Sequence, residues 1–288
     1  MEKNKLFPRT SVEGIDLPRM LIGTNWLLGY SHTGAAADNM IKNHHADPKN
    51  IAAVLDAYMQ YGIDAIMSPD FDEKMPLRQG MNMVEEAYGK KLTQIVTPMI
   101  NVDDNAQARH EAEAKIRKCA KDGAKICLIH HAAAEQLVNK GKQTMDRLPD
   151  YLSMIRDNGM IPGLSAHMPE LILYSDKNGY DVETYIQIYN CMGFLMQIEV
   201  ETIYNIIQNA KKPVMTIKSM AAGRCTPFVG LTFSYNTIRP QDMVTLGAFT
   251  PDEVHEDVEI ALAALEHRRA TLGKRSSPGK TALTEARK

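Results

Sequence analysis

Strand-like and helix-like segments alternate along almost the whole 288-residue chain, which limits it to architectures built from βα units. The first half reads as strands over residues 19–24, 64–68, 93–100 and 125–130, separated by helices over 48–61, 77–91, 106–122 and 145–158. The helix limits have local causes. Asp47 is placed to cap the first helix, with Pro48 at its first position and Gly62 as its stop; Gly123 and Gly159 end later ones. Residues 26–47 read as a long polar loop containing Gly29, His32 and Gly34. The second half gives strands over 161–165, 194–201, 214–218 and 243–247, with helices over 181–191, 202–209, 227–235 and 251–267. Eight such units predict an α/β fold of the (β/α)8 TIM barrel type. An open doubly wound sheet is the alternative, but no GxGxxG turn follows the first strand. A single barrel domain is expected over residues 1–267, with a basic, flexible tail over 268–288.

Composition narrows the setting. A net charge of −2 with 24% charged residues offers no basic surface for nucleic acid or anionic membrane. No apolar run is long enough to span a bilayer, and the first residues, MEKNKLFPRT, lack the apolar stretch of a signal peptide. The four cysteines show neither CxxC spacing nor a disulfide framework, which suits a reducing compartment. A cytoplasmic protein with a small-molecule partner is expected. Its apolar helix faces leave room for a homo-oligomer.

In a barrel, chemistry gathers where the strands end. The run 194–201, FLMQIEVE, alternates so that a strand would aim Gln197, Glu199 and Glu201 at one face. Carboxylates there need a metal, a cation or a shared proton to offset their burial. His130 and His131 end the fourth strand, His167 follows the fifth, and Lys218 ends the seventh. Imidazole and carboxylate together suit Zn²⁺ or Mn²⁺, and His130, His167 and Glu199 are the expected ligands. The same groups, with Glu201, are equally able to run proton transfers beside a carbonyl. His32 and Asn25 follow the first strand and are read as substrate contacts, as are His131 and Gln197. Lys218 and Arg224 are read as holders of a substrate anion, a Schiff-base lysine being the minor alternative at Lys218. His44 and His45 are read as surface or cap residues. The turn 247–251, GAFTP, leads into a helix whose N–H groups attract anions, which makes Gly247 and Thr250 candidate cofactor contacts; a plain capped turn explains the same residues.

Several of these stretches, in this order, resemble the aldo-keto reductases. LPRMLIGT over 17–24 resembles the opening strand of that family, LIH over 128–130 its LIH, and GLS over 163–165 its GVS. QIE over 197–199 resembles its QVE, IKSMAAGR over 217–224 its IKPLGGGR, and MVTLGAFTPDEVHEDV over 243–258 its closing strand and helix. The resemblance implies the barrel, a catalytic role for His130, a nicotinamide contact for Gln197, and NADP(H) phosphates held near Gly247 and Thr250. It also implies an aspartate, a tyrosine and a lysine that this chain lacks. Met67 stands where the aspartate would end strand two, PDFDEK follows without a tyrosine, strand three ends VTPM without a lysine, and Ala166 replaces an asparagine.

The leading expectation is therefore an aldo-keto-reductase-like enzyme acting on a small polar carbonyl or sugar-like compound without net redox change. Isomerisation, epimerisation and elimination all fit. The alternatives are an NADP(H)-dependent oxidoreductase with an altered catalytic set, and a non-catalytic ligand-binding barrel.

Overall fold

A computed structural model of the chain describes residues 5–69 and 71–273. The tail expected over 268–288 lies outside them beyond residue 273, as does Asp70.

Eight parallel strands close into a barrel: β1 (Met20–Gly23), β2 (Ala65–Ser68), β3 (Thr93–Val96), β4 (Ile126–Ile129), β5 (Ile161–Ala166), β6 (Thr184–Ile188), β7 (Val214–Ile217) and β8 (Met243–Leu246). Each strand pairs with the next in sequence, and β8 returns to β1 through Val244↔Met20 and Leu246↔Ile22. Two-residue periodicity sorts the side chains. Leu21, Ala65, Met67, Ile95, Ile126, Leu128, Ile186, Met215 and Met243 fill the barrel, while Met20, Ile22, Ile66, Val96, Cys127, Val214 and Val244 pack outward under the helices.

An antiparallel hairpin, Arg9–Val12 with Ile15–Pro18, joins the interior cluster through Val12 and Leu17. Its turn residues Glu13 and Gly14 both have positive φ, the geometry that suits two-residue hairpins. At the same end, Asp242 is wholly buried and accepts from Arg239 and from the Val214 N–H, which sets the entry of β7. No helix among the described residues is long and apolar enough to cross a membrane.

Seven of the eight strands fall where the alternation places them, within a few residues at each end. The sixth does not. Residues 194–199 form a loop in which Leu195 and Gln197 take left-handed φ of 58° and 66°, and a helix starts at Val200. The real β6 is TYIQI, inside the stretch expected to be helical; it is buried throughout and pairs with β5 and β7. The expected loop 26–47 also contains a helix, Ala35–His44. His45 caps that helix but is only 2% exposed, packed edge-on against Phe249, so it is no surface residue.

Candidate active site

The alternation that fills the barrel also builds its mouth. Beyond Leu128 the next inward position on β4 is His130; beyond Gly163 on β5 come Ser165 and His167; beyond Ile95 on β3 come Thr97 and Met99. His130, Ser165, His167, Thr97 and Met99 line a cavity of about 540 Å³, with Leu128, Gly163 and Ile95 in the strands below it. Met67, Ile186, Ile217 and Thr245 contribute to its apolar wall, and Asn25, Trp26, Tyr30, His32, His131 and Lys218 to its rim. Among the described residues the cavity wall carries no carboxylate.

The three histidines following β4 and β5 form one cluster. The rings of His130 and His131 have centroids 4.3 Å apart, and those of His131 and His167 are stacked at 3.6 Å. His130 caps the short helix His131–Ala134: its Nδ1 accepts from the Ala132 N–H at 3.3 Å, so the neutral ring carries its proton on Nε2. Burial, and then the neighbouring His131, push the pKa of His130 down to about 4; the same two causes take His167 to about 4. Both rings are neutral at pH 7.

Glu135, which the sequence reading did not single out, organises this cluster. Its Oε1 accepts from the N–H groups of His167 (2.7 Å) and Met168 (2.9 Å), while Oε2 lies 3.9 Å from His131 Nδ1. Burial alone would raise its pKa, but the nearby His131 and the hydrogen bonds from the two backbone N–H groups outweigh that and hold it below the usual carboxylate range. Donor atoms of His131, Glu135 and His167 all lie within 4.8 Å of one another. Two imidazoles and a carboxylate whose Oε2 accepts no backbone N–H make a donor set that fits a borderline divalent ion. Of the ligands expected from sequence, only His167 belongs to this set. The signal that was there to read is the four-residue spacing of His131 and Glu135, one helical turn.

Glu199, Glu201 and Gln197 stay outside the cavity wall and are exposed, because the stretch expected to carry them inward as a strand is a loop running into a helix. Glu199 is the residue before the helix Val200–Asn209, and Glu201 sits in its first turn. Arg224 is also turned elsewhere, its guanidinium 3.9 Å over the Phe194 ring. His32, Asn25, His131 and Lys218 do line the cavity. Tyr30 and Trp26 join them without having been expected.

Gly247 lines the cavity too, but Thr250 is occupied as a helix cap. The Glu253 N–H donates to Thr250 Oγ1 (3.3 Å), and the Glu253 carboxylate accepts from the N–H groups of Phe249 (2.6 Å) and Thr250 (3.4 Å). The Phe249 and Thr250 N–H groups in this turn thus already face a carboxylate.

No protein-family model matches the sequence, and none of the curated proteins does. Solved structures match over nearly the full length. A protein of Pseudomonas aeruginosa assigned to the aldo-keto reductases superposes with a TM-score of 0.65 at 13% identity, covering 92% of this chain and 98% of its own. An aldo-keto reductase of Bacillus halodurans gives 0.57 at 10% identity (94% and 99% covered), and a glycerol dehydrogenase of Gluconobacter oxydans 0.55 at 12% (93% and 98%). In fold, the chain resembles the aldo-keto reductases: a closed eight-stranded barrel of their type, with a rim of its own.

Proposed function

We propose that this barrel is an enzyme that moves protons on a small polar carbonyl or sugar-like substrate without net redox change, as an isomerase, epimerase or lyase does. The observation that carries the reading is the pair of neutral imidazoles, His130 and His167, in a cavity wall that holds no carboxylate among the described residues. A neutral imidazole with its proton fixed on Nε2 donates a hydrogen bond to a carbonyl oxygen as negative charge develops on it; that is the part assigned to His130. His167, neutral in the same cluster, is placed to take a proton from the adjacent carbon. The Met67 and Ile186 side chains keep that exchange out of bulk water.

His131, Glu135 and His167 would hold a divalent ion, Zn²⁺ or Mn²⁺ by their chemistry. A bound ion would polarise the substrate oxygen and would occupy the His167 lone pair, so the base role of His167 belongs to the ion-free protein. Glu135 fixes the His167 backbone in either case. The alternative of an NADP(H)-dependent oxidoreductase has the fold resemblance behind it, and against it the Glu253 cap and the missing tyrosine, aspartate and lysine.

The test is a panel of small hydroxy-aldehydes, hydroxy-ketones and keto acids incubated, without nicotinamide, with ion-free protein and with protein given Zn²⁺ or Mn²⁺, with products resolved by chromatography. An isomer or cleavage product, lost in His130→Gln and His167→Ala, supports the reading. Conversion that needs NADPH would replace it.

A further inference from the structure

Lys218 is the one residue at the mouth of the cavity whose surroundings do not match an ordinary lysine. It stands directly after β7, half-buried in the cavity wall, with a left-handed φ of 61°. Two more left-handed non-glycine residues, Ala221 and Ala222, follow in the same loop, with φ of 51° and 53°. Such clusters of backbone strain persist where the surroundings hold them and are a mark of functional sites. Among the described residues no carboxylate forms an ion pair with Lys218. The partner the structure gives its Nζ is an imidazole, His32 Nε2 at 3.1 Å.

That imidazole is oriented to accept. His32 Nδ1 lies 3.0 Å from the Tyr30 carbonyl, which can only accept, so the proton sits on Nδ1 and the Nε2 lone pair faces the lysine. His32 is exposed and able to pass a proton on to water. Burial without a counter-ion lowers the pKa of Lys218.

Taking the proton-transfer reading above as its basis, we infer that Lys218 is a nucleophile that forms an imine with a small anionic aldehyde or ketone, with His32 taking the ammonium proton. The balance closes without an oxidant. The Lys218 ammonium gives one proton to His32 Nε2, and the free amine attacks the carbonyl carbon. The C–N bond forms as the C=O π pair moves to oxygen, which takes up a proton while nitrogen releases one. The carbinolamine then loses its hydroxyl, which leaves as water with the proton returned from His32, giving a protonated imine. Its positive nitrogen draws electrons from the adjacent carbon, whose proton His167 is placed to remove. Hydrolysis runs the same steps backward. The substrate is expected to be anionic because the proton shared by Lys218 and His32 puts a positive charge on its seat, which holds no carboxylate among the described residues.

The test uses pyruvate and glyoxylate as probes with sodium cyanoborohydride at pH 7, which reduces an imine to a stable secondary amine. Peptide mass spectrometry then reads which lysines carry the adduct. The expected result is one adduct per chain on Lys218, formed well before any on exposed Lys49, and absent in Lys218→Arg. His32→Ala should slow trapping about tenfold or more, and added imidazole should restore part of the rate. Labelling of Lys218 no faster than Lys49 overturns the proposal, and an unchanged rate in His32→Ala overturns the role of His32. If proton exchange on substrate carbon persists while Lys218 is never trapped, the lysine falls and the proton-transfer reading stands. If Lys218 is trapped but no exchange occurs, the nucleophile stands and the proton-transfer reading falls.

Discussion

The imidazoles of His131 and His167 lie face to face, with centroids 3.6 Å apart and planes 19° from parallel. Glu135 ties the two together, bonding the His167 backbone through one oxygen and facing His131 Nδ1 with the other. On the reading proposed above, a carboxylate that orients two adjacent rings in this way would prepare a site for a shared ion.

Divalent ion binding is the first consequence. Zn²⁺ or Mn²⁺ in excess should raise the Tm of the protein, an effect worth about 2.7 kcal/mol at a hundredfold excess over Kd. His131→Ala and Glu135→Gln should each weaken that response about tenfold or more in apparent affinity, as read by calorimetric titration. Glu135→Ala should also destabilise the ion-free protein by about 1–3 kcal/mol in urea, because the His167 and Met168 N–H groups lose their acceptor.

Asp257 makes stability depend on pH in an unusual direction. It is 3% exposed on the helix Pro251–Leu265, and burial, with Glu253 and Glu256 nearby, raises its pKa to about 7. Its folded pKa lies above its unfolded one. As pH rises from about 4 to about 7 the unfolded chain sheds this proton while the folded chain keeps it, so stability is lost over that window and is not regained above it. Asp257→Asn removes the penalty. Its Tm should exceed that of the parent by about 2 °C or more at pH 7.5 and match it near pH 4.

The Glu253 cap bears on cofactor use. NADPH and NADH titrations followed by fluorescence should show no saturable binding in the micromolar range. Glu253→Ala should cost about 0.5–2 kcal/mol of stability through loss of the capping box. Tight NADPH binding by the unaltered protein would mean that Glu253 swings away and that the oxidoreductase alternative holds.

Gly230 links the fold to the lysine loop. A Cβ on it would stand 2.5 Å from the Ser219 carbonyl oxygen and 3.1 Å from Met220 Cα, in the backbone immediately after Lys218. Gly230→Ala should destabilise the protein by about 1–3 kcal/mol and reduce activity beyond what the loss of folded protein explains, as judged by rates normalised to folded fraction.

The barrel was legible because its signals are local. Asp47 does cap the helix Pro48–Met59 through the Lys49 N–H, and Thr250 caps the last helix as its sequence suggests. The inward alternation Leu128–His130 and Ser165–His167 put two of the three clustered histidines at the mouth from spacing alone. What failed was a competition between two neighbouring segments. FLMQIEVE and TYIQI both alternate, and only the wrong one carries acids, which made it look like a site. The Asn190 side chain helps decide the matter: its carbonyl accepts from Met192 and Phe194 N–H and its amide donates to the Phe194 carbonyl, folding the chain back where a strand would run straight. Glu135 was missed for a related reason. It lies past the strand end, on one turn of helix and the 3₁₀ turn that follows, where strand-end reading does not look.

The central claim concerns proton transfer by His130 and His167 without a redox partner. It is tested most directly by incubating the protein with small hydroxy-carbonyl and keto-acid substrates in D₂O, free of nicotinamide, and following deuterium at the carbon beside the carbonyl by NMR. The account predicts enzyme-dependent deuterium incorporation that His167→Ala removes and His130→Gln reduces by about a hundredfold. No incorporation into any substrate, together with stoichiometric oxidation of added NADPH by the same compounds, would contradict it.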